Sequence, residues 1–308
     1  MLVCFYLPCC FIHVAVFSSG VLTQMVVDEV MKPFGKTYIP SAYVKYIESG
    51  GSRVLPIRLT HTTAEYEKIF RSINGLLFIG GSVDLEKSDY ARVAKIFYKL
   101  AVTANNAGDF FPIWGTCMGM QILTVLVAGE SLMTNTTAEN ISLPLNLTEE
   151  AYSSRMFQDF PTEVMRALTQ EPLTANFHNY GVLVKVRPSS EHMCFTSTIR
   201  VLSYYCAKIK ITNTCLIICP VTKTYRNYPF YGVQWHPEVN RFQWDSNHNF
   251  PHSTNAIKVS SLLAEFFVNE GKSLHDFDKA EGAASSLIYS YTPVFAGNFT
   301  GYEQIYFF

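Results

Sequence analysis

The sequence predicts an α/β protein, a three-layer α/β/α sandwich with a mostly parallel central sheet. Short apolar runs alternate with longer stretches of helical periodicity. Strands separated by helices pair in parallel through crossover connections, which places helices on both faces of the sheet. Residue types that carry chemistry fall just past the apolar runs, and ligands sit at the carboxyl ends of the strands in such sheets.

Taken in order, the run Y-I-P-S-A-Y-V-K-Y-I-E-S-G-G sets Tyr43, Val44 and Ile47 on one face and stops at Gly50 and Gly51, as a helix with a glycine end should. R-V-L-P-I reads as a strand. T-T-A-E-Y-E-K-I-F-R-S-I, from Thr62, has capping chemistry and a helical stripe, and G-L-L-F-I-G-G follows as a buried strand. D-L-E-K-S-D-Y-A-R-V-A-K-I-F-Y-K-L is the clearest amphipathic helix, and F-P-I-W closes the unit as another strand. Far downstream, F-Y-G-V-Q-W is again strand-like. No repeat, low-complexity tract or linker divides the chain, so residues 20–308 read as one domain.

The composition is that of a folded globular protein, with 48% hydrophobic and 16% charged residues in a chain of 308. A formal charge of −1 and the lack of a basic run argue against nucleic acid or an anionic membrane as partner. No CxxC pair or His-x-x-x-His spacing suggests zinc, so no metal or cofactor is expected. Residues 1–19 carry no charge and end in small residues; they are too short to span a bilayer and read as a secretory signal, although the usual leading Lys or Arg is missing. The alternative is a buried first strand, because G-V-L-T-Q follows at once. Sequons at Asn135, Asn140, Asn146 and Asn298 fit export. Removing the signal would remove Cys4, Cys9 and Cys10, leaving Cys117, Cys194, Cys206, Cys215 and Cys219. An odd number is compatible with one free thiol beside possible pairs.

That thiol stands out in F-P-I-W-G-T-C-M-G-M-Q. A strand turning sharply into a helix strains the corner residue, and Gly115 and Gly119 on either side remove the Cβ clashes, as in the elbow of serine hydrolases. Cys117 would face a helix N-terminus, whose orphan N–H groups and dipole favour the thiolate. An inert buried cysteine in a tight turn is the other reading. A nucleophile needs a base and the base an orienting group, and F-Y-G-V-Q-W-H-P-E supplies His236 with Glu238 two positions on. On an extended segment those side chains share a side, so the carboxylate could hold the imidazole. Gly80 and Gly81 close another strand, where their N–H groups could meet an oxyanion together with the N–H of Met118.

These motifs, with S-A-Y-V-K-Y-I-E-S-G, S-R-M-F-Q-D-F-P, E-P-L-T-A-N-F-H and A-E-F-F-V-N-E, resemble the γ-glutamyl hydrolase family of the class I glutamine amidotransferase-like superfamily, with a flavodoxin-like fold. The resemblance runs over most of the chain. It implies a cysteine peptidase acting on small-molecule substrates, the γ-linked polyglutamate tails of folates (folylpoly-γ-glutamates), in a lysosomal or secreted setting, commonly as a homodimer. Carried onto this chain, it makes Cys117 the nucleophile, His236 the base, Glu238 the orienting group and His178 a substrate-side histidine; from the residues alone His178 reads as a loop histidine. Two departures stand out. Ile79 replaces a proline ahead of Gly80, and residues 186–224 do not resemble the family, although their β-branched content suits strands. A glutaminase serving a synthase, or an inactive binding relative, are the competing function classes. Arg241 and Lys32 are candidates to meet the glutamate carboxylates.

Overall fold

Apolar runs and amphipathic stretches fold as strands and helices in the expected alternation. The computed structural model describes residues 17–183, 207–208, 214–215, 217–218, 228–271, 273, 275–277 and 286–308. The first half contains β1 (Ser18–Leu22), β2 (Gln24–Met25), β3 (Thr37–Pro40), α1 (Ser41–Ser49), β4 (Arg53–Ile57), α2 (Thr63–Phe70), β5 (Gly75–Phe78), α3 (Asp89–Asn106), β6 (Ile113–Thr116) and α4 (Met118–Ala128). There follow β7 (Met133–Leu143), β8 (Asn146–Leu147), α5 (Thr162–Gln170), β9 (Thr174–Leu183), β10 (Ala207–Lys208), β11 (Thr214–Cys215), β12 (Ile217–Ile218), β13 (Phe230–Val233), α6 (Val239–Phe242), α7 (Thr254–Glu270), β14 (Val294–Phe295) and β15 (Gln304–Phe307).

The main sheet has the order β12-β13-β6-β5-β1-β4; every pair from β13 to β4 is parallel, and β12 is an antiparallel edge. Numbered along the chain, the parallel strands run 2-1-3-4-5, the flavodoxin-like order. Neighbouring residues on each strand enter opposite layers. Val21, Leu77, Trp114 and Tyr231 pack with α1, α5 and α7, while Leu22, Leu76, Ile113 and Phe230 pack with α2, α3 and α4. Each fully buried aliphatic or aromatic side chain stabilises the fold by about 1.5–3 kcal/mol. The three-layer expectation is therefore met by the strands' own alternation.

Local chemistry sets the helix ends. The Thr62 hydroxyl accepts the Glu65 N–H while the Glu65 carboxylate accepts the Thr62 N–H, a complete capping box at the start of α2. α3 begins later than its amphipathic stripe, because the Asp84 carboxylate accepts the N–H groups of Glu86 and Lys87 and holds a turn, leaving Ser88 as the cap. The boundary expected at residue 19 falls inside β1. The Ser18 N–H donates to Asn74 Oδ1 at 3.0 Å, and its carbonyl accepts the Asn74 N–H at 2.7 Å. The leader proper, through residue 16, lies outside the described residues, as do Cys194, Cys206, Cys219 and most of 186–224. Within that segment, β10, β11 and β12 do form strands, pairing with β8, β9 and β13.

Two smaller antiparallel sheets complete the fold, β7-β9-β11-β10-β8 and β14-β15-β3-β2. Among the described residues no helix is long and apolar enough to cross a membrane.

Candidate active site

Cys117 occupies the corner between β6 and α4 with φ 52° and ψ −114°, a region that a side-chain-bearing residue enters only at a cost. The surroundings enforce it. A Cβ on Gly119 would lie 2.0 Å from the Phe78 carbonyl oxygen, and one on Gly115 would lie 2.6 Å from the backbone of Gly119. The first turn of α4 is thus pressed against β5 and β6 through two glycines. The Cys117 N–H donates to the Val233 carbonyl at 2.9 Å, which ties the elbow to the end of β13. The side chain is buried and takes part in no disulfide.

β13 delivers His236 to the same edge. The His236 N–H donates to the Ala175 carbonyl of β9, and its Nδ1 lies 2.7 Å from Glu238 Oε1. The contact forms, but not on an extended segment. Glu238 has φ −66° and ψ −31° and leads into α6, so a turn at Pro237 swings the carboxylate beneath the ring. Ser260 of α7 fixes that turn by donating its hydroxyl to the Pro237 carbonyl at 2.6 Å. Burial opposes charge on His236, yet the Glu238 carboxylate and the hydrogen-bonded Cys117 sulfur outweigh it and hold the imidazolium well above the usual histidine range.

The glycine turn after β5 closes the third side. A Cβ on Gly80 would lie 2.7 Å from His236 Cε1 and 3.4 Å from Cys117 Cβ, so the strand ends of β5, β6 and β13 converge at this glycine. The Gly80 N–H, expected to face an oxyanion, donates instead to the Tyr43 hydroxyl at 3.0 Å. That hydroxyl also lies 3.2 Å from His236 Nδ1, and burial together with the Glu238 charge keeps it protonated. Gln24, past β1, donates to the Gly80 carbonyl at 3.0 Å, and its amide would collide with a Cβ on Gly81. Among the described residues, the N–H groups of Gly81 and Met118 have no acceptor.

His178 belongs to a strand, not a loop. It sits on β9 opposite Ala138 of β7, 4% exposed, with Nδ1 at 3.1 Å from the Tyr180 carbonyl and Nε2 at 3.3 Å from Asn176 Oδ1. Burial and the neighbouring His236 lower its pKa to about 4, only partly offset by the Tyr180 carbonyl. Gln121, one turn along α4 from Cys117, donates to that same carbonyl at 3.0 Å and to Gln234 Oε1 at 3.3 Å, joining the β9 wall to the elbow.

The candidate cations lie elsewhere. The Arg241 guanidinium donates to Ser260 and Ser49 and lies over the Phe242 and Tyr46 rings, while Lys32 is an exposed partner of Glu29. Sequence pattern alone does not mark Tyr43, Gln24, Gln121 or Gln234 as site residues. Tyr43 reads only as part of a helix stripe, and nothing in its spacing announces a hydroxyl aimed across the sheet edge.

Fold and geometry together define a class: an α/β protein with a flavodoxin-like sheet, a strained cysteine at a strand–helix elbow, and an imidazole–carboxylate pair delivered to it by the neighbouring strand. The peptidase C26 family model matches residues 19–238, and the chain belongs to that family. It is 44% identical over 290 residues to a gamma-glutamyl hydrolase of Homo sapiens, covering 94% of this chain and 88% of the relative. It is 34% identical to gamma-glutamyl hydrolase B of Dictyostelium discoideum (94% and 82% covered) and 30% identical to gamma-glutamyl hydrolase 1 of Arabidopsis thaliana (88% and 76%). Among solved structures, a Trypanosoma brucei CTPS glutaminase domain with bound acivicin is similar with a TM-score of 0.47 at 12% identity, covering 87% of this chain and 99% of that one.

Proposed function

We propose that the chain hydrolyses γ-glutamyl peptide bonds in folylpoly-γ-glutamates through a Cys117–His236–Glu238 triad. One observation carries the mechanism: a single imidazole meets the elbow sulfur on one side and a buried carboxylate at 2.7 Å on the other. The Cys117 thiolate attacks the γ-amide carbonyl, and negative charge moves to the carbonyl oxygen. The Gly81 and Met118 N–H groups, lacking acceptors among the described residues, are suited to receive it. Collapse breaks the C–N bond, the His236 imidazolium gives its proton to the departing amine, and glutamate or a shorter polyglutamate leaves. Water, deprotonated by the now neutral His236, then attacks the thioester; collapse expels the Cys117 thiolate, releases the γ-carboxylic acid and restores the thiolate–imidazolium pair. Glu238 stabilises the imidazolium and fixes its ring, and Tyr43 positions both the imidazole and the Gly80 turn. His178 stays neutral beside them and is a substrate-side hydrogen-bonding group.

Lysosomal or secreted placement is supported by the exposed side chains of the sequon residues Asn135, Asn146 and Asn298. A homodimer is the assembly the family resemblance implies, and sedimentation of the purified chain would test it. The activity test is incubation with pteroylpentaglutamate and, separately, with free glutamine. Shortening of the glutamate chain supports the proposal; ammonia from glutamine alone would make the chain a glutaminase, and inertness toward both would make it a binding relative.

A further inference from the structure

Beside the His236 imidazole lies a group of rings that the triad chemistry does not use. Phe177 of β9 meets the imidazole edge to face at 5.8 Å and makes similar contacts with His248 and Phe250, each at 5.4 Å, while His248 and Phe250 stack at 5.3 Å and 10°. All three are half-exposed. His248 and Phe250 come from a loop that is built rather than loose. Asn140 of β7 donates through Nδ2 to the Asn247 carbonyl at 3.1 Å and accepts the Asn249 N–H at 2.8 Å. Asn249 Nδ2 donates to the Asn140 carbonyl, and the Ser142 hydroxyl donates to the Asn249 carbonyl at 2.7 Å. Asp245 holds His248 Nδ1 at 2.8 Å and accepts the Asn247 N–H at 2.9 Å. Asn140 itself has φ 52°, and it and Cys117 are the non-glycine residues with positive φ among the described residues. A strained residue that spends its whole amide on fixing an aromatic loop is expected where geometry serves a function.

We infer that Phe177, His248 and Phe250 form a subsite for a planar aryl group carried by the substrate next to its γ-glutamyl chain. The inference rests on the γ-glutamyl hydrolase reading for the placement of that chain over Cys117. Glutamate tails offer carboxylates and methylenes, which gain little from ring edges and faces. A flat aryl-acyl group gains offset or edge-to-face contacts there, and the contact of Phe177 with the imidazole puts the shelf within reach of whatever flanks the scissile bond.

Binding is read without turnover by calorimetry on the full-length Cys117→Ala chain, with p-aminobenzoyl-γ-glutamylglutamate as the probe and acetyl-γ-glutamylglutamate as a control of equal charge. The aryl-capped probe should bind more tightly by a factor of about 3–10, the worth of an aromatic pair. Phe250→Ala should bring that ratio toward one and Phe250→Tyr should retain it, with circular dichroism confirming the fold of each. Should Phe250→Ala fail to fold, Phe250→Leu takes its place. Equal affinities for the two probes, no binding of either, or a ratio indifferent to loss of the Phe250 ring would overturn the subsite. Failure of the hydrolase reading would show separately, as intact pteroylpentaglutamate with the unmutated chain.

Discussion

The parallel-sheet edge and the β7–β9 ribbon each bring a histidine to the site, and the two are driven in opposite directions. His236, at the end of β13, is held as imidazolium by Glu238 and Cys117 despite its burial. His178, on β9, has no carboxylate among the causes of its shift; burial and His236 push it down to about 4. The same side chain is favoured as a charged imidazolium on one wall and as a neutral imidazole on the other. What differs is the partner that each backbone supplies: a carboxylate turned beneath the ring by Pro237, or a carbonyl and an amide two residues either side along β9 itself. Burial alone does not decide protonation, because the Glu238 carboxylate and the Cys117 sulfur together outweigh desolvation.

That contrast can be broken at several points. The largest effect is expected for Cys117→Ala, which should lower kcat on pteroylpentaglutamate by about 10³-fold or more, because the proposed mechanism begins with attack by that sulfur. Retention of activity in that variant would end the proposed mechanism. Glu238→Gln should cost about 10²–10³-fold, and should also move the alkaline limb of the kcat/KM profile to lower pH, since the carboxylate that raises the His236 pKa is gone. A profile unmoved on that side would show that Glu238 does not set the titration of His236.

On the ribbon wall the readout is stability. His178 has a folded pKa of about 4 against an ordinary 6.5, so below pH 6.5 the unfolded chain takes up a proton that the folded chain refuses. Stability that is fully present above pH 6.5 is therefore lost as pH falls toward 4, by about 3 kcal/mol from this residue. Denaturant titrations across that window should be steeper in pH for the parent chain than for His178→Gln; parallel curves would contradict the neutral assignment. The smallest effect is expected at the link between walls. Tyr43→Phe leaves the Gly80 N–H without its acceptor and should cost about 1–3 kcal/mol of stability, with a modest fall in kcat and little change in KM. A change confined to KM would place Tyr43 on the substrate rather than on the turn.

Legibility followed the length scale of the interactions. The elbow could be read because its requirement is local: a corner residue needs small neighbours, and Gly115 and Gly119 stand two positions on either side of Cys117. The capping box of α2 was legible for the same reason, being complete within Thr62–Glu65. The pairing of His236 with Glu238 is legible in their spacing but its geometry is not, since alternation along a strand stops where Pro237 turns the chain. Donation of the Gly80 N–H to Tyr43 could not be read, because it joins residues 37 positions apart through the packing of α1 on the sheet. Nor could the aromatic shelf, whose members come from β9 and from a loop clasped by Asn140, 109 residues away from Asn249.

By itself, the sequence determined the order of strands and helices, the strained cysteine and the supply of an imidazole and a carboxylate, because periodicity and short-range sterics act within a few residues. The tertiary structure alone decided which N–H groups stay open, which histidine bears charge and which rings stand beside it. Those outcomes depend on distances between segments remote in the chain, and these are fixed only when the 2-1-3-4-5 sheet and its antiparallel ribbon close together.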